Sequence, residues 1–168
     1  VLDLKAKNNP TKLIGYSAEY MVDEFFLKSL QNNTELLCCF DRAVLIEMNY
    51  FENPDILKRV QFELQKINYK PILAHPERYL NLENLTTIKD LKVRGVKMQL
   101  NALSLTGFYG ALVRKKAYEY LRKDIYDFIG TDAHNEAQLE RLKGLHLNKK
   151  DLFIWQKICD LQSTLPDL

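Results

Sequence analysis

The chain has 168 residues, 46% of them hydrophobic, which is enough for one domain with a packed core and argues against disorder. Its 24 basic and 22 acidic side chains leave a formal charge of only +2, so no strong electrostatic pull toward nucleic acid is expected. No apolar stretch is long enough to span a membrane, and the first residues do not read as a signal peptide.

Residues 1–12, with Lys5, Lys7 and Lys12, read as a polar surface segment. A strand is expected near 12–16, followed by a helix near 20–31 in which Met21, Phe25 and Leu27 to Leu30 form an apolar stripe. A strand at 43–48 precedes a helix at 54–68, opened by Asn53-Pro54 and carrying Ile56, Leu57, Val60, Leu64 and Ile67 at helical spacing. A strand at 71–75 precedes a helix at 85–94 that stops at Gly95. A strand at 96–101, with Val96, Met98 and Leu100 alternating inward, is followed by a loop at 102–110 and a helix at 108–123. A strand at 126–131 leads to helices at 136–144 and 149–162.

Five β-α units in succession imply a parallel sheet. Strand starts recur roughly every 25 to 31 residues, the length of one strand, one helix and two short loops. Five units are too few for a complete eightfold barrel, so an open doubly wound sheet and part of a barrel both remain.

The three cysteines, Cys38, Cys39 and Cys159, have no framework spacing, which points to a reducing, cytoplasmic compartment. None is followed by Arg six positions later, so the Cys-x5-Arg loop of cysteine-dependent phosphatases is absent. Chemistry-bearing residues gather elsewhere. Glu19, Glu47, His75, Asp132 and His134 fall at or just past the expected carboxyl ends of strands, where parallel α/β folds bind ligands. Oxygen and imidazole donors converging from several segments are what a water-activating divalent metal requires. Arg78, three residues after His75, is placed to clamp a phosphate, and Arg141 is a weaker candidate on a helix surface. Asn101, Ser104 and Thr106 are candidate substrate contacts.

Structural roles compete with each assignment. His75 before Pro76 fits a turn residue satisfied by backbone, and Glu47 fits a buried carboxylate bridged to Arg42 or Arg78. Glu19 fits a first-turn helix carboxylate, Asp132 a helix N-cap, and Arg78 the ion-pair partner of Glu77. His146 lies between helices and reads as surface. Their shared location favours the metal reading over these roles taken singly.

Five stretches then carry a resemblance: Ala18-Glu19-Tyr20-Met21-Val22-Asp23-Glu24, Val44-Leu45-Ile46-Glu47-Met48, Pro71-Ile72-Leu73-Ala74-His75-Pro76-Glu77-Arg78-Tyr79, Gln99-Leu100-Asn101-Ala102-Leu103-Ser104-Leu105-Thr106-Gly107 and Gly130-Thr131-Asp132-Ala133-His134. In this order, from about residue 10 to 145, they resemble the CpsB/CapC family of bacterial capsule-associated tyrosine-protein phosphatases, within the polymerase-and-histidinol-phosphatase (PHP) superfamily. The resemblance implies a distorted TIM-like barrel of about seven β/α units with three metals, usually manganese, at its carboxyl end. It implies that Glu19 bridges two metals, that Glu47 and His75 hold the second, that Asp132 serves the first and His134 the third. Arg78 matches a phosphate-holding arginine. Arg141 is the nearest candidate for a second, at a spacing unlike the family's.

The family's opening His-x-His strand and Asp-Asp-Gly loop have no counterpart here. The expectation is therefore a single PHP-type domain over 1–168 that corresponds to the last five units, with the N-terminal ones absent. Unpaired sheet edges and an inactive fragment are among the outcomes to expect. The function implied is metal-dependent hydrolysis of phosphotyrosine by an activated water, on a protein substrate such as a tyrosine kinase of capsule or exopolysaccharide synthesis. The rivals are a PHP-type phosphoesterase acting on a small metabolite and a non-catalytic binding module derived from the barrel.

Overall fold

The structure, a computed structural model, describes residues 15–49, 55–79, 82 and 84–165. The expected surface segment at 1–12, the start of the expected first strand and the Asn53-Pro54 helix opening lie outside the described residues. Five parallel strands, β1 (Glu19–Val22), β2 (Ala43–Met48), β3 (Lys70–Ala74), β4 (Lys97–Asn101) and β5 (Phe128–Gly130), form one sheet in the order β1-β2-β3-β4-β5. The intervening helices are α1 (Glu24–Gln31), α2 (Asp55–Lys66), α3 (Leu85–Val93), α4 (Ala102–Leu105) and α5 (Ala111–Arg122), with α6 (Glu136–Lys143) and α7 (Lys149–Ser163) after β5.

Sequential strand order settles the choice between architectures. A doubly wound sheet reverses direction from its middle, whereas this one advances one strand at a time, as a barrel wall does. Alternate strand residues Val22, Val44, Ile46, Met48, Leu73, Met98 and Leu100 join helix residues such as Leu27, Leu57, Leu64, Leu91 and Leu121 in one buried cluster. The opposite sheet face carries Glu19, Met21, Leu45, Glu47, Gln99 and Asn101. That face curls. Phe40, just before β2, meets Phe128 of β5 edge to face at 5.5 Å, although a flat sheet holds strands three places apart at roughly 14 Å. The wall is curved but not closed.

The first unit corrects the sequence reading. Gly15 and Tyr16 lie in no strand; β1 begins at Glu19, and the helix starts only at Glu24. Asp23 ends the extended stretch because its side chain accepts from the Phe26 N–H at 2.7 Å, an N-cap that Tyr20 to Val22 cannot supply. The apolar stripe is consequently Phe26, Leu27 and Leu30, while Phe25 is 80% exposed. The stretch at 102–110 is likewise not wholly loop: Asn101 caps the single turn of α4 by accepting from the Leu103 N–H. The helix expected from 108 begins only at Ala111, after Gly110; elsewhere the elements fall within two residues of expectation, and Gly95 ends α3 with φ +89°, a conformation that favours glycine.

The expected exposed edge is partly covered. Gln162 of α7 accepts from the Ile129 N–H at 3.0 Å and donates to the Ile129 carbonyl at 3.2 Å, occupying ladder positions on β5. The other end of α7 is anchored by Asp151, which is fully buried and accepts from Arg122 Nε and Nη2, each at 2.8 Å, and from the Asn148 amide at 2.7 Å. Arg122 holds the Asp151 carboxyl below its ordinary value of 3.8. A depressed carboxylate stabilises the fold above that value and ceases to do so as pH falls through the folded-state value. Asp151→Asn is therefore expected to cost about 1–2 kcal/mol at neutral pH. The difference from the parent should shrink below pH 3.8, as read by urea denaturation at both pH values.

Candidate active site

The site lies where β1, β2 and β3 run side by side. Glu47 is the penultimate residue of β2, and β2 places it on the curled face. His75 directly follows β3, and its left-handed backbone (φ 36°, ψ 53°) turns the chain from the strand into the short 3-10 turn Pro76–Arg78. Glu19 does not trail a strand as expected. It opens β1, in register with Leu45, two residues short of Glu47.

Its side chain nevertheless reaches the others. His75 Nε2 lies 3.2 Å from Glu19 Oε1 and 3.6 Å from Glu47 Oε2. One ligand atom from each of the three residues lies within 4.8 Å of the other two. His75 is 3% exposed. The backbone reading of His75 accounts for its N–H, which donates to the Gln99 carbonyl at 2.8 Å, but not for the ring.

Burial, and then the charge of Glu19, push the Glu47 carboxyl above its usual range. Two carboxylates held together without a cation repel each other, and imidazole with two carboxylates suits a divalent ion. The donor set fits such a metal. The alternative bridge from Glu47 to Arg42 does not form: Arg42 donates to the Ile67 and Asn68 carbonyls and lies over the Tyr69 ring at 4.1 Å.

Asp132 and His134 take other positions. Asp132 is not the N-cap of α6, a role that falls to Asn135. Asp132 Oδ2 accepts from Arg78 Nη1 at 2.9 Å, Asn101 Nδ2 at 2.9 Å and Tyr109 OH at 3.4 Å. It lies close enough to Glu47 for its charge to act there. His134 has a side chain 75% exposed, with Nδ1 3.8 Å from Asp132, and the cluster of three donors does not include it.

Arg78 is not paired with Glu77, which is completely buried and accepts from Asn101, Ser104 and Tyr126 instead. The Arg78 guanidinium bonds Asp132 and lies 4.3 Å over the Tyr109 ring. The sequence does not single out Tyr109; the available signal is an aromatic pair, Phe108-Tyr109, in the stretch that follows a strand's carboxyl end. Arg141 is exposed, donates from Nε to Thr106 Oγ1 at 3.2 Å and stands 5.7 Å over Phe108. Asn101 and Ser104 are too buried to face a substrate, at 2% and 0% exposure. They brace the site instead: Ser104 Oγ donates to Glu77 at 2.7 Å, and the Asn101 N–H donates to it at 3.1 Å.

A curled parallel sheet with carboxylates, an imidazole and a guanidinium on one rim defines a barrel-type α/β protein with a candidate metal centre. The chain belongs to the CpsB/CapC family of capsular polysaccharide synthesis, whose model matches residues 3–144. It is 36% identical over 95 residues to the "Putative tyrosine-protein phosphatase CapC" of Staphylococcus aureus. It is 29% identical over 95 residues to the tyrosine-protein phosphatase YwqE of Bacillus subtilis (strain 168). Each match covers 56% of this chain and 37% of the relative. A solved structure among those of YwqE from Bacillus subtilis and CpsB from Streptococcus pneumoniae, "unique metal-dependent tyrosine phosphatases", superposes with a TM-score of 0.65 at 20% identity. That superposition covers 90% of this chain and 65% of the other, and it shows a shared fold.

Proposed function

We propose that this chain carries part of the active centre of a metal-dependent phosphotyrosine-protein phosphatase. The observation that supports it most is the convergence of Glu19, Glu47 and His75 beside Arg78. In this reading Glu19, Glu47 and His75 hold a divalent cation, manganese by family resemblance, and Asp132 and His134 serve further metals. When bound, the cation supplies positive charge for the phosphoryl oxygens and makes water acidic enough to react near neutral pH. Arg78 orients the phosphate, its plane fixed by the Asp132 bond and the Tyr109 ring. Arg141 is the candidate second arginine. No cysteine is invoked: none heads a Cys-x5-Arg loop, and burial pushes the Cys38 and Cys159 thiols above their usual range.

The substrate in this reading is phosphotyrosine on a tyrosine kinase of capsule or exopolysaccharide synthesis, in the cytoplasm. Among the described residues no helix is long and apolar enough to cross a membrane. The single-domain reading of 1–168, as the last five of about seven units, is proposed on the same footing. A second reading, a non-catalytic module with one structural cation, draws on one observation: Asp132 already accepts from Arg78, Asn101 and Tyr109.

Metal content and hydrolysis of a phosphotyrosine peptide, with manganese and with EDTA, separate the two readings. Manganese-stimulated turnover that EDTA abolishes is expected for the phosphatase. One retained metal without turnover would leave only the binding module, and no metal at all would remove both.

A further inference from the structure

A cavity of about 810 Å³ lies beside α5, and neither Glu19, Glu47 nor His75 lines it. Its wall includes Ala111, Arg114, Lys115, Tyr118 and Arg122, which recur at the three- and four-residue spacing of one helix face. A smaller cavity of about 320 Å³ shares Thr106, Arg114 and His146 with it and adds Arg141. The two make a continuous open cleft. It begins at Arg141 and Thr106, which bond each other, and passes along α5 to Arg122.

Its cations are largely uncommitted. Arg122 is neutralised by Asp151. Arg114 and Lys115 are exposed and form no ion pair with a carboxylate among the described residues, although the Lys115 charge acts on Glu119 one turn along the helix, and among those residues Arg141 bonds a hydroxyl and faces a ring. The nearby Glu119 is engaged by Lys123. Tyr118 stands between two guanidiniums, Arg114 at 5.8 Å and Arg122 at 5.3 Å from its ring, which keeps both extended along the groove. On a chain whose net charge is only +2, Arg114, Lys115 and Arg141 thus gather in one groove without an ion-pair partner among the described residues, and that groove is linked to the candidate site through contacts. Arg141 packs on Phe108, Phe108 on Tyr109 at 4.9 Å, and Tyr109 beneath Arg78.

We propose that this α5 cleft binds an acidic peptide segment, the stretch of substrate that flanks the phosphotyrosine. The proposal rests on the phosphatase reading for what lies at the other end of the cleft. Size favours a peptide over a free anion. A cavity of about 810 Å³ that continues into one of about 320 Å³ is more than a single small anion fills. Arg141 in the smaller part and Arg114 and Lys115 in the larger select a string of carboxylates more than a single small ion. Exposed pairs contribute modestly one at a time and steer association together.

The test uses two labelled phosphotyrosine peptides of equal length, one flanked by Asp and Glu, the other by Ser and Gly. Binding is read by fluorescence anisotropy at low ionic strength in EDTA, so that nothing is turned over. The acidic peptide is expected to bind about tenfold more tightly than the neutral one. Arg114→Glu, and separately Lys115→Glu, should remove most of that preference. Lys89→Glu, the same change of charge on α3, should leave it within about twofold. Equal affinity for the two peptides, or equal effects of Arg114→Glu and Lys89→Glu, overturns the proposal. So does tighter binding of a short single-stranded DNA than of the acidic peptide, which would make the cleft a nucleic-acid surface. Hydrolysis assayed with manganese is judged separately. Acidic preference without turnover keeps the cleft and removes the phosphatase reading, and turnover without acidic preference does the reverse.

Discussion

Replacing Glu77 with alanine is expected to destabilise the chain by about 3–5 kcal/mol, the largest effect of any single substitution near the site. Glu77 is 0% exposed, and burial pushes its carboxyl above the usual range. Three donors converge on it from three segments: the Asn101 N–H at 3.1 Å, Ser104 Oγ at 2.7 Å and Tyr126 OH at 3.0 Å. Alanine leaves all three buried without an acceptor, and each such group costs about 1–3 kcal/mol. A domain of this size is stable by only about 5–15 kcal/mol.

The midpoint of thermal unfolding should therefore fall by roughly 10 °C. Glu77→Gln should recover more than half of the loss. Its oxygen still accepts from Ser104 and Asn101, and its amide can donate to the Tyr126 oxygen. The loss also reaches the site, because Asn101 holds Asp132 and Arg78 follows Glu77 directly in the chain. An alanine variant within about 1 kcal/mol of the parent would show that the bonds to Glu77 do not brace the rim.

That brace was invisible in the sequence for a physical reason. Glu77 sits between His75 and Arg78 in a stretch that reads as wholly functional, and its partners lie 24 to 49 residues away. Polar residues in the following loop look like substrate contacts until their burial is known. Asp132 is a similar case: its hydrogen bond with Arg78 spans 54 residues, which no local pattern announces.

Periodicity did reveal the central units. The apolar runs of β2 and β3 and the Ile56, Leu57, Val60, Leu64 stripe of α2 are local signals, and the structure buries them as expected. It failed at β1 because Tyr20-Met21-Val22 is apolar enough to continue a helical stripe. Only the cap at Asp23 marks the break. Periodicity could not choose between open sheet and barrel wall, a choice that only the family resemblance made, correctly, in favour of the barrel. Both are built from the same β-α unit, and they differ only in which strands become neighbours. Glu47 and His75 were legible because strand ends locate residues in space. Glu19 entered the same set from a misplaced strand and reaches the cluster by the length of its side chain.

For Glu47→Gln, the proposed site predicts opposite changes in function and in apo stability. The two carboxylates and His75 Nε2 crowd within 4.8 Å, and the charge of Glu19 helps to push the Glu47 carboxyl up. Without metal, glutamine removes that repulsion, so the variant should unfold at the parent's temperature or slightly above it. With metal the order reverses. Ligand binding stabilises a fold by about 2.7 kcal/mol at one hundred times the dissociation constant. For a chain of this length that is a rise of roughly 5–10 °C in the unfolding midpoint on adding manganese. Glu47→Gln keeps the shape but loses the anionic donor, and the manganese-induced rise should nearly vanish. In a version of the protein that turns over phosphotyrosine, the same change should lower kcat/KM by at least about 100-fold. Thermal unfolding with and without manganese measures the first part without any need for activity. A parent that shows no manganese-induced rise, or a variant that shows the same rise, would mean that Glu47 is not a metal ligand and that its raised carboxyl reflects only burial and the neighbouring Glu19 charge.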